Sequence, residues 1–465
     1  MSSLPVGSVV SFVHQLSKPP WTVKTLMDSS HKNSRPSPEQ IALIQKARLE
    51  KRRKAVEAPI PPTILVLRPW LTLDRDGSSR NASHRVKILS WNLLAQCLIR
   101  RELFPTSDCL KAGQREPMIH EEIIRQDAQI LCLQEVDRLE KLLPKFEKAG
   151  YTYCYASGPR KKHGCLIAYK KDLYSCVSER VVFYDDQSVD GDAEDKTRIG
   201  NSFKTRNIAS LVALTRNGGG GEEGLIIGTT HLFWHPRYTY ERIRQLGIMI
   251  REVTAFREKL SAAHWPCVLA GDFNFTPSDP AYSLAVGDDL LPEQEQIIHP
   301  SRVVHSSLDP SVLLNLPATP KGTDEDDAEA VDPDRVITNA RPAKPEDGLL
   351  TVPEIVAWFR QLPRLRSAYS DGIAAARGHG YDLPTFGIRA QPPIGRRGSE
   401  EPEYTSYTYY WKSVLDYIFF IDPPTISGSI TGLLAPLTTA ELDPGIPKLG
   451  VSGSDHTVLA AELNW

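Results

Sequence analysis

Several short, almost wholly apolar runs in this chain stop abruptly at an amide, an acid or a histidine. Val86–Trp91 ends at Asn92, Gln129–Leu133 at Gln134-Glu135, and Cys267–Ala270 at Gly271-Asp272-Phe273-Asn274. Near the C-terminus, Ser454-Asp455-His456 precedes a last such run. Runs this short, rich in β-branched residues and bounded by turn chemistry, read as buried strands. Polar residues at strand ends gather at one edge of a sheet, where α/β proteins build their sites. Oxygen ligands for a divalent cation, together with a histidine, are what phosphoester hydrolysis at neutral pH needs. Taken singly, each segment has a plainer reading. Glu135 is then a surface acid, Asn92 a turn cap, Gly-Asp-Phe-Asn a loop and His456 a hydrogen-bonded histidine. Four in series point to one active site.

The intervening chain alternates strand and helix. Tyr151–Tyr155, Cys165–Tyr169, Ile208–Leu214 and Leu225–Thr229 read as further strands, and residues 415–421 and 457–463 as closing ones. Pro117–Arg125 has helical spacing. Arg237–Leu260 is the clearest helix, because Ile243, Leu246, Ile250 and Val253 fall on one stripe. Residues 85–465 are therefore expected to form one catalytic domain, interrupted by an insertion at about 290–400. Within it, 317–347 is rich in Asp, Glu, Pro and Ala, as expected of a disordered loop. Residues 1–84 read as a partly disordered extension with a helix from Pro38 to a basic end, Lys51-Arg52-Arg53-Lys54.

Composition excludes little. With 465 residues, 41% hydrophobic and 24% charged, the chain can bury an enzyme-sized core. A net charge of −2 confines any affinity for a polyanion to local patches. The seven cysteines include no CxxC pair and sit mostly in apolar runs, the pattern of reduced core residues in an intracellular protein. No stretch is apolar enough to span a bilayer, and residues 1–30 lack a secretory apolar block. Cytoplasm or nucleus follows as the expected location. The acid-poor first 35 residues, with Lys18, Lys24, Lys32 and Arg35, leave a mitochondrial address open.

In order, Ser90-Trp91-Asn92, Leu133-Gln134-Glu135, Thr230-His231-Leu232, Gly-Asp-Phe-Asn, Leu415-Asp416-Tyr417 and Ser454-Asp455-His456 resemble the endonuclease/exonuclease/phosphatase superfamily, the fold of DNase I. The likeness runs from about Val86 to Leu463. Leu94–Pro105, Lys162-His163-Gly164-Cys165 and Thr230–Pro236 resemble its deadenylase, nocturnin and angel branch, above all the fungal Ngl-type RNA exonucleases. The resemblance implies a DNase I-like four-layer α/β sandwich of two mixed β-sheets flanked by helices.

The same resemblance implies roles. Glu135 would be the main Mg²⁺ ligand, with Asn92 and Asp455 completing the shell for one or two ions, and Mn²⁺ would substitute. Asp272 would position or deprotonate the attacking water, and Asn274 would bond the scissile phosphate. His231 and His456 would stabilise its charge, with Asp416 fixing the His456 ring. Pro236 would pack on the terminal base and Trp411 would stack on it. Ser406 stands where the deadenylases have an Asn that pairs with adenine, which Ser cannot do bidentately. Apart from the resemblance, Arg160, Lys161 and Lys162 before the Gly-Cys strand are candidate contacts to the RNA backbone, or a solvated turn. The implied activity is Mg²⁺-dependent 3′→5′ exonucleolysis of single-stranded RNA, in ribosomal RNA 3′-end processing or mRNA deadenylation. Two other readings stand beside it, a nocturnin-like phosphatase acting on NADPH and a catalytically idle RNA-binding scaffold. The acidic loop 317–347 is a candidate contact for a protein partner.

Overall fold

Ile88 and Leu89 are both fully buried, yet they belong to different layers of core. The same holds for Ile130 and Leu131, and for Val268 and Leu269. Side chains alternate along a strand, so a continuous apolar run means that both faces of the sheet are covered. The computed structural model describes residues 65–74, 84–189, 199–218, 223–314 and 336–465. All of these fall in one unit, Pro62–Trp465.

In chain order the strands are β1 (Trp70–Thr72), β2 (Arg85–Asn92), β3 (Ile130–Val136), β4 (Tyr151–Ala156), β5 (Gly164–Lys170), β6 (Tyr174–Phe183), β7 (Ile208–Arg216), β8 (Gly224–His231) and β9 (Cys267–Asp272). They continue with β10 (Val303–His305), β11 (Ala340–Pro342), β12 (Arg366–Ser367), β13 (Ser406–Tyr407), β14 (Lys412–Ser413), β15 (Asp416–Ile421), β16 (Ser429–Leu434) and β17 (Leu459–Asn464). Seven strands form one sheet in the order β1-β16-β17-β2-β3-β5-β4, and six form another in the order β12-β15-β9-β8-β7-β6. Ile88, Ile130 and Ile167 meet Val212, Ile227, Val268 and Ile418 between the sheets. Helices α1 (Ala112–Gln126) and α2 (Leu139–Lys148) cover the outer face of the first sheet through Ile119, Ile123, Leu142 and Phe146. Helix α3 (Thr239–Lys259) covers the second with Ile243, Leu246, Ile250 and Val253, the stripe read from sequence. The result is the four-layer α/β sandwich.

Topology brings the polar ends together. β2 and β3 are parallel with Asn92 opposite Gln134, and β8 and β9 are parallel with His231 opposite Asp272. β15 runs antiparallel to β9, so its first residue, Asp416, faces Asp272. β17 is antiparallel to β2, pairing Leu459 with Ser90, so the Asp455-His456 turn enters at this same end.

The structure redraws three boundaries. β1 lies in the segment expected to precede the domain, yet it pairs with β16, and Arg68 donates to the Ala435 and Val458 carbonyls. Part of the expected insertion is core: β12 edges the second sheet, and α4 (Ala368–Gly378), capped by the Ser367 hydroxyl, places Tyr369, Ile373 and Ala376 in the inter-sheet layer. Of the loop expected to be disordered, 336–347 is ordered. Its strand β11 pairs with β10, and Arg341 bonds Asp309 and Asp347. The basic helix ending at Lys54 and residues 317–335 of the acidic loop lie outside the described residues. Among the described residues no helix is long and apolar enough to cross a membrane.

If α4 belongs to the core, Ile373→Ala is expected to cost about 2–5 kcal/mol of unfolding free energy in a urea titration. A loss below about 0.5 kcal/mol, typical of a surface position, would return this helix to the insertion.

Candidate active site

The site begins with a backbone irregularity. Leu133 pairs with Leu166 and Val136 with Gly164, so β3 advances three residues while β5 advances two. The extra residue makes a β-bulge, which bends a strand and re-aims a side chain. Glu135 sits in it with φ of 52°, in the left-handed region that non-glycine residues seldom occupy. Its side chain thereby lines an open cleft of about 670 Å³. Oε2 accepts the Ala95 N–H at 2.9 Å, and Oε1 accepts the Asn92 amide at 3.2 Å. Burial by itself would raise the carboxyl, yet it stays below the usual carboxylate range, and these two donors favour its charged form.

Asn92 reaches both sheets. Its amide also donates to Asp272 Oδ2 at 2.9 Å, while its own Oδ1 accepts the Leu94 N–H. Asp272 is buried at the end of β9, with Oδ1 accepting the Asn274 N–H. Burial, reinforced by the nearby Asp416 charge, pushes its pKa up to about 7. Asn274, also left-handed at φ 52°, donates its amide to the Leu232 carbonyl and lines the cleft. His231 stands between the acids, 3.7 Å from Glu135 and 3.6 Å from Asp272. Burial pushes its pKa down to about 3, so it is neutral at physiological pH.

His456 has the opposite character. Its Nδ1 lies 2.8 Å from Asp416 Oδ2, an oxygen that also accepts the Thr405 hydroxyl at 2.6 Å. Its Nε2 points to Asp272 Oδ2 at 3.7 Å. Burial works against a charge here, yet Asp416, Asp455 and Asp272 together hold the pKa well above the ordinary value. Asp272, Asp416 and His456 cluster closely enough to suggest a metal cage. The shortest contact in that trio is a hydrogen bond, and Asp416 does not line the cleft, so it reads better as a carboxylate–imidazole–carboxylate relay. The acids that do line the cleft include Glu135 and Asp455. Carboxylate and amide oxygens of this kind suit a hard divalent cation.

The remaining expected residues divide. Pro236 and Trp411 line the cleft. Ser406 does not. It is fully buried, its hydroxyl accepting Trp411 Nε1–H and donating to the Asp455 carbonyl, both at 3.2 Å, so it fixes the indole rather than facing a base. Arg160 and Lys162 are exposed and outside the lining, whereas Lys161 lines the cleft and donates to Asn207 at 2.6 Å. Sequence reading passed over Arg115. Buried on α1, it donates to the Leu93, Leu94 and Gly453 carbonyls and to Gln96, tying the turn after β2 to the loop before Asp455. Gln134, named from the sequence only as the amide at a strand end, bonds Thr229 across the two sheets. No local pattern marks these contacts, because they join segments apart in the chain: Arg115 to Leu93, Leu94, Gln96 and Gly453, and Gln134 to Thr229.

Residues 89–456 match the Endonuclease/Exonuclease/phosphatase family. The chain belongs to this family. Within it, a probable RNA exonuclease of Schizosaccharomyces pombe is 27% identical over 464 residues, covering 92% of this chain and 88% of that protein. The RNA exonuclease NGL2 of Saccharomyces cerevisiae is 32% identical over 285 residues, 54% of this chain and 53% of its own length. A crystal structure of ANGEL2, described as a 2′,3′-cyclic phosphatase, shares the fold with a TM-score of 0.55 at 20% identity, covering 86% of this chain and 99% of that one.

Replacing Asp416 by Asn removes the charge that most strongly supports the His456 imidazolium. The ¹⁵N-detected pKa of His456 is expected to fall toward the ordinary histidine range, and an unchanged titration would break the relay assignment.

Proposed function

We propose that this protein is a divalent-cation-dependent 3′→5′ exoribonuclease that releases 5′-nucleotides. One observation carries the reading: Glu135, Asp272, His231 and His456 line a single cleft that also presents Trp411 and Pro236, and Asn92 behind it bonds both Glu135 and Asp272. The full-length likeness to a protein named a probable RNA exonuclease supports it.

Glu135, Asn92 and Asp455 would hold the cation, Mg²⁺ in the first instance with Mn²⁺ able to replace it. Each Glu135 oxygen keeps a lone pair beyond the donor it already serves. When bound, the ion lowers the pKa of coordinated water and neutralises charge on phosphoryl oxygens. The protein's own part is positioning and proton transfer. Asp272, with a pKa near neutrality, orients the attacking water and takes its proton. Charged His456, held by Asp416, faces the negative charge that builds on the phosphate. Neutral His231 donates an N–H to a phosphate oxygen, as does the second amide hydrogen of Asn274. Trp411, its indole pinned by Ser406, offers a stacking face that accepts any base. Lys161 contributes a cation at the rim.

Purified protein with Mg²⁺ is expected to shorten 5′-labelled RNAs from the 3′ end, and chelation to stop the reaction. Glu135→Ala is expected to slow it about 100-fold or more, since the cation supplies several kcal/mol and each 1.36 kcal/mol is about a factor of ten. A Glu135→Ala protein as fast as wild type would remove the metal assignment. Internal cuts in place of a ladder would make the enzyme an endonuclease.

A further inference from the structure

The turn joining β13 to β14 carries three aromatic residues in a row, Tyr409, Tyr410 and Trp411. Trp411 faces the cleft, whereas Tyr409 and Tyr410 are 56% and 62% exposed and meet edge to face with centroids 5.1 Å apart. The turn is firmly anchored. Thr408 Oγ1 accepts the N–H groups of Tyr410 and Trp411, and Ser406 at its base bridges to His456. Gly445 backs it so closely that a Cβ there would meet Tyr409 N at 2.9 Å and Thr106 Oγ1 at 3.3 Å.

The neighbouring segment completes the lip. Phe104 packs edge-on against Trp411 at 6.1 Å, and the short helix before it, Arg101–Leu103, follows Arg100. Arg100 lines the cleft, Arg101 is exposed, and Glu102 is the acid of that turn. A solitary exposed aromatic ring is ordinary. Two exposed rings on an anchored turn, adjoining a third that lines the cleft and packs on Phe104, whose own segment carries two arginines, have the chemistry of single-strand nucleic-acid binding. Aromatic faces accept any base, and guanidinium groups meet the phosphates.

We propose that this lip holds single-stranded RNA upstream of its 3′ end, with bases stacked on Tyr409 and Tyr410 and phosphates facing Arg100 and Arg101. The proposal rests on RNA being the substrate of the cleft. It makes catalysis depend on substrate length, because a strand must extend beyond the cleft to reach the tyrosines.

In the full chain, Tyr409→Ser/Tyr410→Ser is expected to raise KM for a long single-stranded RNA about tenfold or more while keeping kcat. For uridine 5′-p-nitrophenyl phosphate, which carries no base upstream of the scissile bond, both constants are expected to stay the same. Equal losses on the two substrates, or none on either, overturn the proposal. Binding of fluorescein-labelled long RNA to Glu135→Gln protein, read by anisotropy, needs no hydrolysis. The same double substitution is expected to weaken that binding by a similar factor, and unchanged affinity overturns RNA as the occupant of the lip. Wild-type protein that leaves RNA intact but binds it through the two tyrosines overturns the exonuclease reading alone.

Discussion

One side-chain amide joins the two halves of the site. Asn92 ends β2 in the first sheet, and its Nδ2 donates both to Glu135 of that sheet and to Asp272 of the second. Two carboxylates brought this close repel each other, and burial makes the repulsion stronger. A shared neutral donor offsets part of it without adding a charge. Asn92 is itself held on every side: its Oδ1 takes the Leu94 N–H, its carbonyl takes the Ser454 hydroxyl, and parallel pairing sets its height against Gln134. The distance between Glu135 and Asp272 therefore follows from how the two sheets pack.

Three of the ten non-glycine residues with positive φ among the described residues lie at this site. Leu94, Glu135 and Asn274 all have positive φ, at 55°, 52° and 52°. Such a conformation costs about 1–2 kcal/mol for an L-residue, and it persists because the surrounding sheet and its hydrogen bonds leave no alternative. Each of the three redirects the chain at a strand end. Charge is managed by burial and pairing: His231 and His456 are both buried among acids, yet only His456 has a carboxylate in direct hydrogen bond to its ring. The charges of Asp416, Asp455 and Asp272, with that contact, raise the pKa of His456, whereas burial lowers that of His231.

Strands buried on both faces were the most legible part of the sequence. Ile130–Leu133 and Cys267–Ala270 are apolar without interruption, and their polar ends are the site residues. β6 went unread because it is an edge strand, exposed along most of its length, so Tyr174–Phe183 mixes Ser, Glu and Arg with its apolar residues. β16 was hidden by a register shift and by Gly432, where a Cβ would strike the Trp70 indole. The stretch 366–378 reads as part of an insertion because polar, Pro- and Gly-rich segments flank it, and its place in the core depends on contacts with β15 and β16 far along the chain.

By itself, the sequence determined which strands would be covered on both faces and which side chains would stand at their ends. Both follow from local alternation and from where an apolar run stops. Tertiary structure decided what those side chains do to one another. It turned Ser406 inward to pin Trp411, put Lys161 rather than Arg160 or Lys162 on the cleft, and set Arg115 between two loops that are remote in the chain. Those outcomes depend on distances between segments that only the packing of two sheets brings within hydrogen-bonding reach, and no periodicity in the chain encodes them.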